Sequence, residues 1–327
     1  MIRLSIIIPF YNVEPFITQC LDSVYQQDIP ESEYEVICVN DASPDNSSEI
    51  VKEFQKKHGN LILVEHEVNK KLGAARNTGR AIARGNYIWN VDSDDMVVPN
   101  CLKEMLDICE ENNLDVFVFS HKLVVNNEIK NIDARDVFTA TQCISGIEFM
   151  RQYAMKQMHI ISPVWKQLFR REFLDENAIY SPEINMSEDV PYTYKSIALA
   201  QRLQVKSESY YIYRINPQSI GGVMAKAPSA IAAYESCFVV SRELFHLSDK
   251  VRQEAKDVGE AILKVGRWCM MLYGYYMGRM EIDQRKEFLS LCRNNFWKNR
   301  DVLRYLNWRV GVRYLRYLLS GYAIREV

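Results

Sequence analysis

Residues 92–95 read Asp-Ser-Asp-Asp, three carboxylates within four positions. Like charges held that close raise one another's pKa unless a cation sits among them. The ion this donor set suits is hard and oxygen-seeking, Mg2+ or Mn2+, bridging carboxylate and phosphate oxygens. The opposite charge lies upstream, where Lys70-Lys71-Leu72-Gly73-Ala74-Ala75-Arg76-Asn77 sets two lysines and small residues at a helix start. Exposed amides at a helix N-terminus suit an anion, and Gly73 lets backbone come close. Taken alone, that segment has a plainer account as a solvated basic face. Asp41 and the 92–95 acids likewise have local roles open to them, in a turn and in capping the helix near Pro99.

The elements that position these groups are legible as an alternation of strands and helices. Leu4–Pro9 is an Ile-rich apolar run too short for a helix, hence a buried strand. Pro15 suits the first turn of a helix through about Gln26. Strands are predicted at Glu35–Asn40, Leu61–Glu65, Tyr87–Val91 and Asp115–Ser120, and helices at Asn46–Lys57, Leu72–Arg84 and from Pro99. Such alternation implies a mostly parallel sheet covered on both faces. Three strands end in residues too polar for a buried strand: Pro9-Phe10-Tyr11-Asn12, Asn40-Asp41-Ala42-Ser43 and Asp92–Asp95. Open parallel sheets bind ligands outside the carboxyl ends of their strands, so three such ends describe a site.

From about 121 to 215 the segments shorten, with a hairpin expected around Asn126-Asn127; after Gly221-Gly222 the chain reads as helical to its end. A chain of 327 residues exceeds the size at which one core keeps growing, so a large domain plus an extension is expected. The net charge of −2 excludes a phosphate-tracking nucleic-acid binder. Neither a P-loop nor a G-x-G-x-x-G turn occurs in the N-terminal strand–helix units, which weighs against NTPases and dehydrogenases. Eight cysteines without C-x-x-C pairs read as buried free thiols of a reducing cytosol. No basic stretch leads into a small-residue cleavage site, and no run of 18 apolar residues exists, so neither a signal peptide nor a spanning helix is expected.

Ser5–Asn12, Asp41, Asn69–Gly79, Asp92–Asp95 and Glu188-Asp189 together resemble the family 2 glycosyltransferases of the GT-A fold, in order and spacing, over roughly residues 3 to 220. The resemblance implies an α/β GT-A fold, a Rossmann-like, mostly parallel mixed sheet flanked by helices, with a C-terminal helical extension. It implies a GT-A domain over 1–220, with a nucleotide-sugar half over 1–120 and an acceptor half over 121–220, followed by a helical region over 221–327. It also implies an inverting transfer from a nucleoside diphosphate sugar, typically UDP-linked, to a hydroxyl of a glycan or lipid-linked acceptor in bacterial surface polysaccharide assembly. Pro9 and Tyr11 would line the base pocket, Asp41 would accept from the base, and Lys70 and Arg76 would sit near base and pyrophosphate. Asp92 would contact ribose or sugar, Asp94 would ligate Mn2+ or Mg2+, and Asp95 would support the run. Asp189 would be the general base, with Glu188 beside it; a helix N-terminal turn is the structural role open to the same pair. One departure stands out: Trp165-Lys166-Gln167-Leu168 carries its lysine at 166 where the family's W-x-K-L pattern expects it at 167. Arg214 and Ser219 could approach the phosphates, or serve core and turn.

Leu303, Leu306, Val310, Tyr314, Tyr317 and Leu318 form an apolar stripe at helical spacing, with Arg309, Arg313 and Arg316 on another face. The stripe predicts packing on the catalytic body or on a second subunit, as in a homo-oligomer; lipid contact over 301–327 is the alternative. A cytoplasmic protein, peripheral on the inner face of the plasma membrane in that second case, is expected. Two other classes compete: a nucleotidyltransferase, which needs a Gly-rich loop after the first strand that Pro9–Pro15 lacks, and a non-catalytic sugar-nucleotide or glycan-binding module, which has no use for a base at Asp189.

Overall fold

Seven consecutive buried residues, Leu4–Phe10, form β1, the strand around which the N-terminal part is built. The computed structural model describes residues 1–125, 128–131, 140–154, 163–216, 229–277, 280–295 and 300–306. The chain divides into two units, residues 1–183 with 192–216, and residues 184–191 with 217–327.

In the first unit β1 is followed by α1 (Glu14–Tyr25), β2 (Tyr34–Asn40), α2 (Ser47–Lys57), β3 (Leu61–Glu65), α3 (Leu72–Ile82), β4 (Tyr87–Asn90), β5 (Met96–Val97) and α4 (Leu102–Glu111). Then come β6 (Val116–Val125), β7 (Glu128–Asn131), β8 (Ala140–Ile144), α5 (Gly146–Phe149), β9 (Gln167–Arg170), α6 (Arg171–Glu176), α7 (Asp189–Leu199), whose first turn is grouped with the second unit, and β10 (Leu203–Arg214). The strands make one mixed sheet in the order β3-β2-β1-β4-β9-β6-β10-β5, with β7 beside β6 and β8 beside β10. Strands β3, β2, β1 and β4 are parallel, as helix crossovers require, and β9 runs antiparallel between β4 and β6.

Alternation along β1 sends Leu4, Ile6, Ile8 and Phe10 into the main core, with Trp89, Phe117, Phe119 and Tyr211. Ile7 faces the other way, toward α3. There a Cβ on Gly79 would meet Ile7 Cγ2 at 2.5 Å, so glycine sets how closely that helix approaches the sheet.

Several expectations meet a different outcome. The helix expected from Pro99 begins at Leu102, because Asn100 takes a positive φ of 54° that interrupts helical backbone. Strands β6 and β7 pair antiparallel with Val125 opposite Glu128, as a hairpin requires, while Asn126-Asn127 themselves lie outside the described residues. Strands β9 and β10 were not expected: β9 is only four residues long, and the Ser-Glu-Ser run in β10 interrupts its apolar pattern at a register shift.

The described part of the second unit is helical: α8 (Ala230–Val251), α9 (Lys256–Met277), α10 (Ile282–Asn294) and α11 (Arg300–Leu303). Phe238, Phe245, Leu263, Met270, Phe288 and Val302 make its core. Ser229 caps α8 by accepting from the Ala232 amide at 3.2 Å. Ser219, Gly221-Gly222 and the tail stripe from Val310 onward lie outside the described residues. No described helix is long and apolar enough to cross a membrane, and all eight cysteines are free thiols, seven of them buried.

Candidate functional site

Because β1, β2 and β4 are parallel neighbours, their carboxyl ends open on one edge of the sheet. Pro9 is the penultimate residue of β1, buried and opposite Val39 of β2; Tyr11, just beyond the strand, is 47% exposed. At the end of β2, Asp41 is 4% exposed and heavily engaged. Its Oδ1 accepts from the Lys70 amide at 2.7 Å and faces His66 Nδ1 at 2.7 Å, while Oδ2 accepts from the Lys71 amide at 2.9 Å. A carboxylate offers about four acceptor positions. Three are filled here, and the fourth is on Oδ2.

The Lys70–Lys71 turn leads into α3, with Lys71 at a φ of 78° and no side-chain cap on the helix. Both lysine side chains are exposed. Gly73 is occupied differently from the expectation. A Cβ there would meet the Pro182 carbonyl oxygen at 2.2 Å, so its small size accommodates the protein's own backbone.

From the same helix the buried Arg76 sends Nη2 to Asp92 Oδ1 at 2.8 Å. The Asp92 amide donates to the Tyr211 hydroxyl oxygen at 3.1 Å, and that hydroxyl donates to Asp95 Oδ2 at 2.8 Å. Asp95, 1% exposed, also accepts from the Arg214 amide at 2.7 Å. Burial, then the charges of Asp92 and Asp94, push its carboxyl up to about 9. Asp95 thereby ties the acidic turn to β10.

Asp94 is placed otherwise. Burial and then the Asp92 charge raise its carboxyl above the usual range, and its Oδ2 accepts from the neutral Asn216 amide at 3.1 Å. Among the described residues no cluster of three His, Cys, Asp or Glu side chains could enclose a metal. A half-buried carboxylate beside a second negative charge does fit an ion that takes one or two protein carboxylates and completes its shell with phosphates and water. Arg214 is held by groups of the protein around the acidic turn. Its Nε donates to the Asp94 carbonyl at 3.0 Å, Nη2 donates to Gln19 at 2.5 Å, and the guanidinium lies 5.2 Å from the Phe16 ring.

Lys166 lies with its Nζ 5.6 Å from the Trp165 ring, and burial pulls its ammonium down to about 8. Trp165 stacks on Tyr211 at 4.3 Å and on Tyr213 at 5.4 Å, with the His121 ring edge-on at 4.9 Å. Burial, then the Lys166 charge, lowers His121 to about 3. Gln167, where the family pattern expects lysine, is buried with Nε2 donating to the Pro163 carbonyl at 3.5 Å.

The remaining two candidates, Glu188 and Asp189, belong to the second unit. Ser187 before them has a φ of 64°, Glu188 is buried, and Asp189 opens α7. Sequence reasoning passed over His66 and gave no individual role to Thr78, Tyr211 or Asn216. Nothing local marks a histidine as a partner of an aspartate 25 residues away, and Tyr211 sits in a strand that went unread.

The sequence model described as Glycosyl transferase family 2 matches residues 5–177. The uncharacterized glycosyltransferase EpsJ of Bacillus subtilis is 34% identical over 220 residues, covering 66% of this chain and 62% of EpsJ. A poly(ribitol-phosphate) beta-glucosyltransferase of Bacillus spizizenii is 31% identical over 249 residues, 71% of this chain and 37% of that enzyme. The chain thus spans less than two thirds of the length of either relative. Residues 1–349 of Staphylococcus aureus TarS, crystallised with UDP, superpose with a TM-score of 0.72 at 22% identity, covering 98% of this chain and 89% of the TarS fragment. The same fragment with UDP-GlcNAc gives 0.71 at 21%. The fold is therefore GT-A.

Proposed function

The chain belongs to glycosyl transferase family 2, and we propose that it moves a sugar from a nucleoside diphosphate to an acceptor hydroxyl with inversion. The observation that carries this is the salt bridge from Arg76 to Asp92, which joins the amide-rich start of α3 to the acidic turn at the strand ends. A sugar nucleotide needs both neighbours, donors for phosphate and carboxylates for ion and sugar.

In this reading Pro9 and Tyr11 line the base pocket, and the remaining Oδ2 acceptor of Asp41 takes a single base N–H. Uracil and thymine offer one such N–H, whereas guanine presents an N–H and an amino group side by side and needs both carboxylate oxygens. That favours a uridine donor, in keeping with the UDP bound to TarS. Lys70 and Arg76 face the diphosphate, Asp92 the ribose or sugar, and Asp94 holds Mn2+ or Mg2+. When bound, that ion offsets charge on the departing diphosphate. Arg214, through the Asp94 carbonyl, and Asp95, through Tyr211, keep the acidic turn in place.

Asp189 takes the proton from the acceptor hydroxyl as its oxygen attacks the anomeric carbon and the bond to the diphosphate breaks; Glu188 orients it. A single displacement inverts the carbon, so no second nucleophilic carboxylate is needed. Residues 1–120 hold the donor and 121–220 shape the acceptor side, with 221–327 as the helical extension. By analogy with the Bacillus spizizenii enzyme, the acceptor is a hydroxyl of a glycan or polyol-phosphate polymer, lipid-linked or free, at the inner face of the bacterial membrane.

The test is thermal stabilisation by UDP, GDP and dTDP, with and without Mn2+, on the native chain and Asp94→Ala. A ligand at a hundredfold excess over its Kd adds about 2.7 kcal/mol. A shift with UDP that exceeds that with GDP, needs Mn2+ and disappears in Asp94→Ala is expected. No shift with any nucleotide on the folded chain would remove the proposal.

A further inference from the structure

We infer that His66 is a positioning residue for the donor, locking the Asp41 carboxylate and through it the strained Lys70–Lys71 turn. This rests on the reading that the turn faces the donor diphosphate.

His66 is buried at the end of β3, its amide donating to the Asn40 carbonyl at 2.9 Å. Its ring bridges two elements, with Nδ1 2.7 Å from Asp41 Oδ1 and Nε2 3.0 Å from the Thr78 hydroxyl on α3. Asp41 already accepts from two backbone amides, so Nδ1 carries the proton and donates as well. Nε2 is then left to accept from Thr78. Each contact serves the other: the helix orients the imidazole, and the imidazole fixes the rotamer of Asp41.

The load falls on the turn. Lys71 has a φ of 78°, a backbone conformation that a lysine adopts only when its surroundings impose it. The two hydrogen bonds that impose it, from the Lys70 and Lys71 amides, both end on Asp41. Without His66 the carboxylate loses the partner that stops it rotating, and both of these bonds open more often. Thr78 lies two residues past Arg76, so the same clamp ties the turn to the helix that reaches Asp92.

The experiment measures two quantities on the full chain for His66→Leu, His66→Asn and Thr78→Val. Amide hydrogen exchange at Lys70 and Lys71 is read without nucleotide, and UDP affinity is read by calorimetry with Mn2+. In His66→Leu the two amides should lose about tenfold in protection while those of β1 and α8 keep theirs, and UDP should bind about tenfold more weakly. His66→Asn, whose side-chain amide can donate to Asp41 in place of Nδ1, should restore most of both. Thr78→Val, which keeps the Asp41 contact but frees the ring, should fall between. Unchanged protection at Lys70 and Lys71 in folded His66→Leu would overturn the inference, as would failure of His66→Asn to recover any of it. If native protein fails to bind UDP while the exchange pattern holds, the donor reading falls, and with it the donor role of His66, while its lock on the turn stands.

Discussion

Replacing Lys166 by methionine should stabilise the protein at neutral pH, and the gain should disappear in alkali. Burial beside Trp165 and near His121 lowers the ammonium from its usual value of about 10.4 to about 8. The native state therefore holds a charge at pH 7 that it would rather not hold. At about 1.4 kcal/mol per pH unit the displacement amounts to roughly 3 kcal/mol. Lys166 is only partly buried, so water screens some of this and about 2 kcal/mol is a fair magnitude. Methionine keeps the length and apolar stem without the charge.

The sign follows from proton counting. Between pH 8 and about 10.4 the unfolded chain binds a proton that the native lysine has lost, so native stability rises with pH across that window. Below pH 8 the full penalty is present, and above about 10.4 neither state is charged. Melting temperatures of native and Lys166→Met protein compared from pH 6.5 to 11 isolate this residue, because groups it does not touch cancel in the difference and His121, lowered to about 3, is already neutral in the native protein there. The variant should melt higher by roughly 4–8 °C at pH 7, converging with the native chain near pH 11. A variant no more stable at pH 7, or a gain that stays constant with pH, would refute the account of Lys166 as a charge held at a cost.

Asp189→Asn should lower kcat by about 10²–10⁴ while leaving UDP affinity within about twofold, since a general base acts on the acceptor and not on donor binding; steady-state turnover against calorimetry reads the two separately, and loss of both together would count against the base. Gly73→Ala should destabilise the nucleotide-free protein by about 1–3 kcal/mol, because the new methyl group would press on the Pro182 carbonyl, which cannot swing aside as a side chain could. A melting temperature unchanged without UDP, accompanied by loss of UDP binding, would return Gly73 to its expected role of admitting the anion.

What the sequence disclosed depended on how local the signal was. Strands β1, β2 and β4 announced themselves through short apolar runs ending in polar residues, because a strand buried on both faces has no room for polar side chains until it leaves the sheet. Those same ends supplied Asp41, Asp92, Asp94 and Asp95. The partners of these acids were not legible, being set by pairing across long stretches of chain. Tyr211 reaches Asp95 from 116 residues away, and His66 reaches Asp41 from 25. Neither separation leaves a periodicity to read. Arg214 was legible as a cation near the site but not in its direction, since only the register of β10 against β5 brings it behind the Asp94 carbonyl. Lys166 and Gln167 could be flagged as exchanged against the family pattern, but the 3-10 turn over Val164–Lys166 and the start of β9 decide which of them meets the aromatic stack.

The acidic turn also explains why three adjacent carboxylates need not all serve one ion. Asp92 is compensated by the Arg76 guanidinium, and Asp95 is pushed toward its neutral form by burial while anchored to Tyr211 and the Arg214 amide. Each has its charge answered by protein. Asp94 has instead a neutral amide from Asn216 as its side-chain partner among the described hydrogen bonds, and burial, then the Asp92 charge, raise its carboxyl against a smaller opposing pull from Arg214. A cation brought in with a diphosphate would find that carboxylate already oriented, with its neighbours spoken for. Strained backbone flanks the segments concerned, at Asn12, Ala42 and Lys71, each at positive φ and each carrying a cost of order 1–3 kcal/mol. Stability given up at these turns, and a charge at Asp94 that Arg214 offsets only in part, make sense together if donor and ion return both on binding. The unliganded protein should therefore gain more from UDP with Mn2+ than from either alone.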